Sequence, residues 1–250
     1  MTRRNILITG ASSGLGEGMA RLFAAQGRNL ALTARRVDRL EQLRSELLAD
    51  HPGIDVVAHS LDVNDHDEVF RVFGACRDDL GGLDRVVVNA GLGKGGRIGT
   101  GRFEANRETA MTNFVAALAQ CEAAMEIFYA AGAGHLVIVS SVSAFRGMPG
   151  SMTAYAATKA GVATLAEGIR SDCLGKSIEV TTVYPGYIRS EMNDHVEQAQ
   201  RLMVDTETGC RALVAAIEKE PAEAEVPAWP WKPIGYALRH LPLQVVRRMV

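Results

Sequence analysis

Six short apolar runs, several of them β-branched, fall at residues 6–9, 29–33, 56–59, 86–88, 136–139 and 180–183. Each is nearly continuously hydrophobic rather than alternating, the signature of a strand buried on both faces. Between them lie longer stretches, 19–26, 38–49, 67–79, 108–131, 153–174 and 205–219, whose apolar residues recur at spacings of three and four. That is the period of an amphipathic helix. Strands alternating with helices predict an α/β chain: a doubly wound parallel β-sheet flanked by helices on both faces, in three α/β/α layers. Residues 114–125 and 156–169 are rich in alanine and other small side chains, which suits close packing on the sheet or against another copy.

No long polar or low-complexity stretch divides the 250 residues, so one domain over 1–250 is expected, large enough to bury a substantial core. Residues 187–204, rich in Glu, Gln, Asn and Met, fit a substrate lid or an ordinary solvated loop. Residues 221–250 form an arm with five of the eight prolines and both tryptophans, and from Lys232 on it carries four basic residues and no acid. Apolar Ile234, Leu238, Leu241, Val245 and Val246 alternate there with Arg239, Arg247 and Arg248. Such an arm fits packing on a neighbouring subunit, the wall of a pocket for a lipid-like substrate, or peripheral membrane contact. Pro242 argues against one continuous helix.

A formal net charge of −2 gives no basic footprint for nucleic acid, and six scattered histidines and four cysteines show no ligand spacing, so no metal site is expected. Cys76, Cys121, Cys173 and Cys210 sit in apolar or helix-like segments, reading as reduced, buried thiols suited to the cytosol. Arg3 and Arg4 precede an apolar run too short for a signal sequence or a membrane span, so a cytoplasmic location is expected.

The candidate chemistry begins where the first strand ends. Thr9 leads through Gly10, Ala11, Ser12, Ser13, Gly14, Leu15 and Gly16 into a helix. Glycines there let backbone N–H groups approach a pyrophosphate at a positive helix end, although a tight turn needs glycine for conformational reasons alone. After the second strand, Ala34 stands where an NAD-specific protein places an acid for the ribose hydroxyls, and Arg35 and Arg36 follow. Their guanidinium forks suit a 2′-phosphate, so NADP(H) is expected in preference to NAD(H); the plainer reading is two solvated loop charges. Asp62 and Val63 end the third strand, and Asn89, Ala90 and Gly91 the fourth, at the carboxyl edge where such sheets bind ligands. Asp62 fits either an adenine amino group or the cap of the next helix. The Gly-rich loop 91–101 lacks the Gly-Lys-Ser/Thr ending of a phosphate loop and reads as a mobile rim.

Tyr155 and Lys159 are four residues apart in a helical stretch, hence on one face, just downstream of Ser140 and Ser141. A phenol is a poor acid–base at neutral pH, and an ammonium one turn away would favour its phenolate. Alone the pair reads as an exposed polar couple. Behind a complete dinucleotide motif it points to proton transfer, with a serine hydroxyl donating to the substrate oxygen as charge develops.

In these motifs and their order the chain resembles the short-chain dehydrogenase/reductase family, in its single-domain form of about 250 residues, over residues 5–192. The resemblance implies a Rossmann-type fold and a catalytic tetrad of Asn113, Ser141, Tyr155 and Lys159, with Asn113 supporting a water linked to Lys159. It implies cofactor contacts from the glycine loop, Asp62, Val63, Asn89, Ala90, Gly91, Tyr155, Lys159, Pro185, Gly186, Ile188 and Ser190, and assembly as a homodimer or homotetramer. Ser141 lies 14 residues before Tyr155, one more than is usual in the family, so the insertion falls in 145–153 and Ser140 and Ser143 stay open as the polarising hydroxyl. Ser190 stands where many relatives carry Thr, and the glycine loop lacks the basic residue some NADP-dependent relatives place there. The implied activity is NADP(H)-dependent interconversion of a ketone or aldehyde and its alcohol, on an apolar, oxoacyl or steroid-like substrate. The alternative is a dinucleotide-sensing regulator or scaffold; an isomerase or dehydratase is disfavoured by the length and the glycine spacing.

Overall fold

The computed structural model describes residues 3–189 and 202–247. Its elements run β1 (Asn5–Thr9), α1 (Gly14–Ala25), β2 (Asn29–Ala34), α2 (Val37–Asp50), β3 (Val56–Ser60), α3 (His66–Leu80), β4 (Arg85–Val88), α4 (Phe103–Ala110), α5 (Ala116–Ala131), β5 (Ala133–Val139), α6 (Met152–Asp172), β6 (Ser177–Pro185), α7 (Thr206–Ile217), β7 (Glu223–Val226), α8 (Ala228–His240) and α9 (Leu243–Val246). Among the described residues the strands form one sheet in the order β3-β2-β1-β4-β5-β6-β7, and every pairing is parallel. Every residue of β2 and β4 is buried, which is why those segments read as largely apolar rather than alternating.

The pleat sends alternate side chains of β1 to two separate cores. Ile6 and Ile8 join Phe23 of α1, Leu40 and Leu47 of α2 and Leu213 of α7, whereas Leu7 joins Phe73 of α3, Phe128 of α5 and Val162 of α6. Phe23, Phe73 and Phe128 are fully buried, each worth ~1.5–3 kcal/mol of transfer free energy. Helix α3 starts where the Asp65 carboxylate accepts the Glu68 N–H and ends at left-handed Gly81. All four cysteines are buried and unpaired with one another.

Helices α4 and α5 are joined by a single π turn, Met111–Val115, into one rod. The rod, Phe103–Ala131, is long and apolar enough by composition to cross a membrane, yet half of its apolar window is buried in the protein, so packing accounts for much of that character. The expected helix at 108–131 is therefore longer at its start and interrupted. The arm beyond residue 221 supplies a seventh strand and a helix absent from the periodicity reading: β7 is only four residues at the sheet edge, and α8 contains Pro233. The break expected at Pro242 separates α8 from α9.

At the amino ends of the central strands lies a buried polar cluster. Arg85, 1% exposed, donates from Nε to His135 Nδ1 (2.8 Å) and from its other nitrogens to Glu218 and Glu220, while Arg3 grips both oxygens of Glu220 (2.8 and 3.0 Å). His135 Nδ1 thus accepts, and its Nε2–H donates to Thr181 Oγ1 at 2.9 Å. Burial, with Arg85 beside it, lowers the His135 pKa to about 3. For Glu220, burial alone would raise the pKa, but the Arg3 hydrogen bonds and the nearby cations bring it down to about 2.

Two measurements check this cluster. Glu220→Ala removes a partner from buried Arg85 and should cost about 3 kcal/mol in urea unfolding. Below its ordinary 6.5, His135 binds a proton in the unfolded chain only, so the stability it contributes is full above that pH and is lost towards pH 3. The urea midpoint should fall over this window, less steeply in His135→Gln.

Candidate active site

The carboxyl ends of the strands open into a cleft of about 430 Å³. Strand order reverses here, since β1 pairs with β2 on one side and β4 on the other, and a doubly wound sheet leaves its crevice at that point. Gly10, Ser12, Ser13, Gly14 and Leu15 line it. Gly10 takes a left-handed φ of 67°. Gly16 does not line the cleft; a Cβ there would sit 2.3 Å from the Gly10 carbonyl oxygen, so glycine is what lets α1 seat on the end of β1. Asn89 braces the same junction, donating from Nδ2 to Thr9 O (2.9 Å), while Thr9 Oγ1 accepts the Asn89 and Ala90 N–H groups.

Ala34, Arg35 and Arg36 at the end of β2 line the cleft, and Arg36 reaches across to donate to Ser12 Oγ (3.2 Å) and Ser13 Oγ (2.6 Å). Asp62 and Val63 line it after β3. The cap of the next helix is Asp65, so Asp62 is left to the cleft wall, where its Oδ1 accepts from Asn64 N and Nδ2, both at 3.0 Å. Ala90 and Gly91 line the cleft with Asn89, and Pro185, Gly186 and Ile188 close the far side. Ser190 and most of the proposed lid lie outside the described residues; the flanking Ile188 and Val204 pair as a short parallel bridge.

Ser141, Tyr155 and Lys159 line the same cleft. The three candidate serines differ: Ser140 Oγ donates to the Lys159 carbonyl (2.7 Å), Ser143 does not line the cleft, and Ser141 lines it with its Oγ accepting the Ser143 N–H (3.2 Å). Ser141 is the one that also hydrogen-bonds to Tyr155. The loop 146–151 lies between them, joining the 3₁₀ turn Val142–Phe145 to α6. Lys159 Nζ donates to Val139 O at 2.8 Å and sits 5.9 Å from the centre of the Tyr155 ring. This departs from the expected tuning. Burial raises the Tyr155 pKa against the Ser141 hydrogen bond, and burial lowers Lys159 to about 8.

Asn113 does not line the cleft. From the π turn its Oδ1 accepts the Leu92 N–H (2.7 Å) and its Nδ2 donates to Leu92 O (2.9 Å), clamping the exit of β4. Both Asn113 Oδ1 and Lys159 Nζ converge on Gly91, within 3.4 and 3.6 Å of where a Cβ would stand. Periodicity carries no sign of a π turn, and such bulges cluster at functional sites. Lys94, Glu108 and Thr112 also line the cleft, unforeseen from the sequence; Lys94 pairs with Glu108 at 3.3 Å. The 91–101 loop is tied to α4 through Asn106 Oδ1, which accepts the Gly96 N–H at 2.9 Å.

A model of the short chain dehydrogenase family matches residues 4–201. An uncharacterized oxidoreductase of Mycobacterium tuberculosis is 54% identical over 248 residues, covering 99% of this chain and 98% of the relative. Another uncharacterized oxidoreductase, from Myxococcus xanthus, is 34% identical over 232 residues, covering 93% and 89%. Among solved structures, the alcohol dehydrogenase of the archaeon Thermococcus sibiricus, complexed with 5-hydroxy-NADP, aligns with a TM-score of 0.79 at 26% identity, covering 89% of this chain and 94% of that one. The NADPH-dependent 3-quinuclidinone reductase of Rhodotorula rubra has a TM-score of 0.81 at 24% identity, covering 89% and 88%, a likeness of fold. Matched by the family's own model through every strand from β1 to β6, this chain belongs to the short-chain dehydrogenase/reductase family of nucleotide-binding oxidoreductases.

Proposed function

We propose that the protein is an NADP(H)-dependent oxidoreductase interconverting a ketone or aldehyde and its alcohol, with Tyr155 as the proton donor in reduction. The observation that carries this reading is that Ser141, Tyr155 and Lys159 line one cleft together with the glycine loop and Arg35. The residues fit a phosphorylated dinucleotide: a glycine cradle at the start of α1, and Ala34, Arg35 and Arg36 rather than an acid at the end of β2. In that assignment Gly10, Ser12, Ser13, Gly14 and Leu15 hold the pyrophosphate, Arg35 and Arg36 the 2′-phosphate, and Asp62 and Val63 the adenine. Asn89, Ala90, Gly91, Pro185, Gly186 and Ile188 frame the nicotinamide end. The bound cofactor would supply the hydride taken up by the carbonyl carbon.

The chain supplies the proton and the charge. Tyr155 Oη gives its proton to the carbonyl oxygen, while Ser141 Oγ donates a hydrogen bond to that oxygen as it gains charge. Lys159, held by its bond to the Val139 carbonyl, would hold the cofactor ribose with its other N–H groups. Asn113 acts through Leu92 and Gly91, keeping the loop beside Lys159 in place. Val142, Phe145, Tyr184, Tyr187, Trp231 and Ile234 pack on one another behind the turn that follows Ser141, backing that side of the cleft. Phe114, Leu118 and Tyr129, exposed along the α4–α5 rod, support self-association as a dimer or tetramer.

Tyr155→Phe should lower kcat about 10²–10⁴-fold with NADPH affinity nearly unchanged, read by steady-state kinetics beside fluorescence titration. Retained turnover would refute the assignment, and wild-type NADPH binding without turnover of any carbonyl in a graded apolar panel would favour a sensor. Arg35→Ala should raise the KM for NADPH by about 10-fold or more, the worth of a charged hydrogen bond, and leave that for NADH in place.

A further inference from the structure

Helix α8 presents two unlike faces. On the inner one Trp231, Gly235 and Leu238 are buried. The Trp231 indole lies on Gly186, where a Cβ would be 2.0 Å from Nε1, and meets Tyr187 edge-on at 5.0 Å. Arg239 stacks its guanidinium 3.6 Å from the centre of the Phe145 ring and pairs with Glu225 at 3.1 Å. Phe145 belongs to the turn that follows Ser141, and Gly186 lines the cleft, so this face packs directly behind the cleft.

The outer face is bare. Trp229 is 80% exposed, Tyr236 67% and Leu243 56%, and Lys232, His240 and Arg247 are exposed among them. Lys232, Tyr236 and His240 follow one side of α8 at a spacing of four, Trp229 precedes them in extended geometry, and Leu243 and Val245 lie on α9. No acid occurs after Glu225. The whole chain has 27 Lys and Arg against 29 Asp and Glu, so the stretch from Lys232 on, with four cations and no acid, is locally basic in a slightly acidic chain.

We propose that this outer face docks on an anionic phospholipid surface. Exposed Trp and Tyr flanked by Lys and Arg are the side chains that settle at the headgroup boundary, with the cations meeting lipid phosphates and the rings reaching the acyl edge. A second copy is a poor occupant, because a two-fold contact would set Lys232 and Arg247, neither of which has an acid after it in the chain, against themselves and bring like charges together. Docking also places the turn after Ser141 about one helix diameter, ~10 Å, from the lipid. Delivery of an apolar carbonyl from the membrane to the cleft rests on the function proposed above; the docking itself does not.

The test is co-sedimentation of the full chain with vesicles of phosphatidylcholine or of phosphatidylglycerol, beside sedimentation velocity without lipid. Phosphatidylglycerol vesicles should bind about 10-fold more tightly or better, with the difference shrinking in high salt. Lys232→Glu and the double variant Trp229→Ala/Tyr236→Ala should each lose about 10-fold in vesicle binding and keep wild-type turnover of a water-soluble carbonyl. Equal partitioning onto both lipids, no binding to either, or variants that bind like the wild type would overturn the proposal. So would a drop in oligomeric mass in Trp229→Ala/Tyr236→Ala, which would give the face to another copy. Binding is read without turnover, so an inactive preparation leaves this result standing and bears only on the reaction.

Discussion

The seating of α1 on the end of β1 is the contact on which the rest of the cleft depends. Gly16 lies against the Gly10 carbonyl with no room for a Cβ, and Asn89 ties that junction to the end of β4. Here the sheet changes direction, so the gap between the glycine loop and the β4 exit is the one crevice the topology must leave open. Every other wall is placed relative to it: the β2 arginines through Arg36 to Ser12 and Ser13, the β4 exit through Asn113 to Leu92, and α6 through Ser140 to the Lys159 carbonyl. Short side-chain hydrogen bonds, to backbone and to one another, thus do at the carboxyl edge what apolar packing does inside the sheet.

The opposite edge is built on a different principle. There Arg85, Arg3, Glu218, Glu220 and His135 bring charge into the interior, joining the amino ends of β4 and β5 to the segment after α7. Such clusters contribute modest net stability when complete and cost several kcal/mol when one partner is lost. Its depressed pKa values keep His135 neutral and Glu220 charged near neutral pH, which is the protonation pattern the hydrogen bonds require.

Much of this was legible in the sequence because buried parallel strands leave a pattern that solvent-facing ones do not. β2 and β4 are buried at every position and stand out; β7, with Glu223 exposed and only four residues, does not. The glycine loop, Arg35 and the Tyr155–Lys159 pair could be singled out as candidates because each depends on residue type at fixed spacing. Choosing among Ser140, Ser141 and Ser143 could not be done that way, since it turns on Ser140 being engaged by the α6 backbone and Ser143 standing off the cleft lining. Nor could the direction of Lys159 Nζ, which turns to the Val139 carbonyl, or the π turn that sets Asn113 against Leu92. Hydrophobic periodicity reports burial, and these are facts of hydrogen-bond partnering.

The four thiols carry a consequence of their own. Cys76, Cys121, Cys173 and Cys210 are each no more than 4% exposed, and burial pushes Cys76 and Cys121 up to about 12 and Cys210 to about 11. Thiolates, not thiols, attack peroxides and disulfides, so these buried cysteines offer oxidants little to react with. Packing inside the fold, rather than pairing with one another, is what shields all four sulfurs.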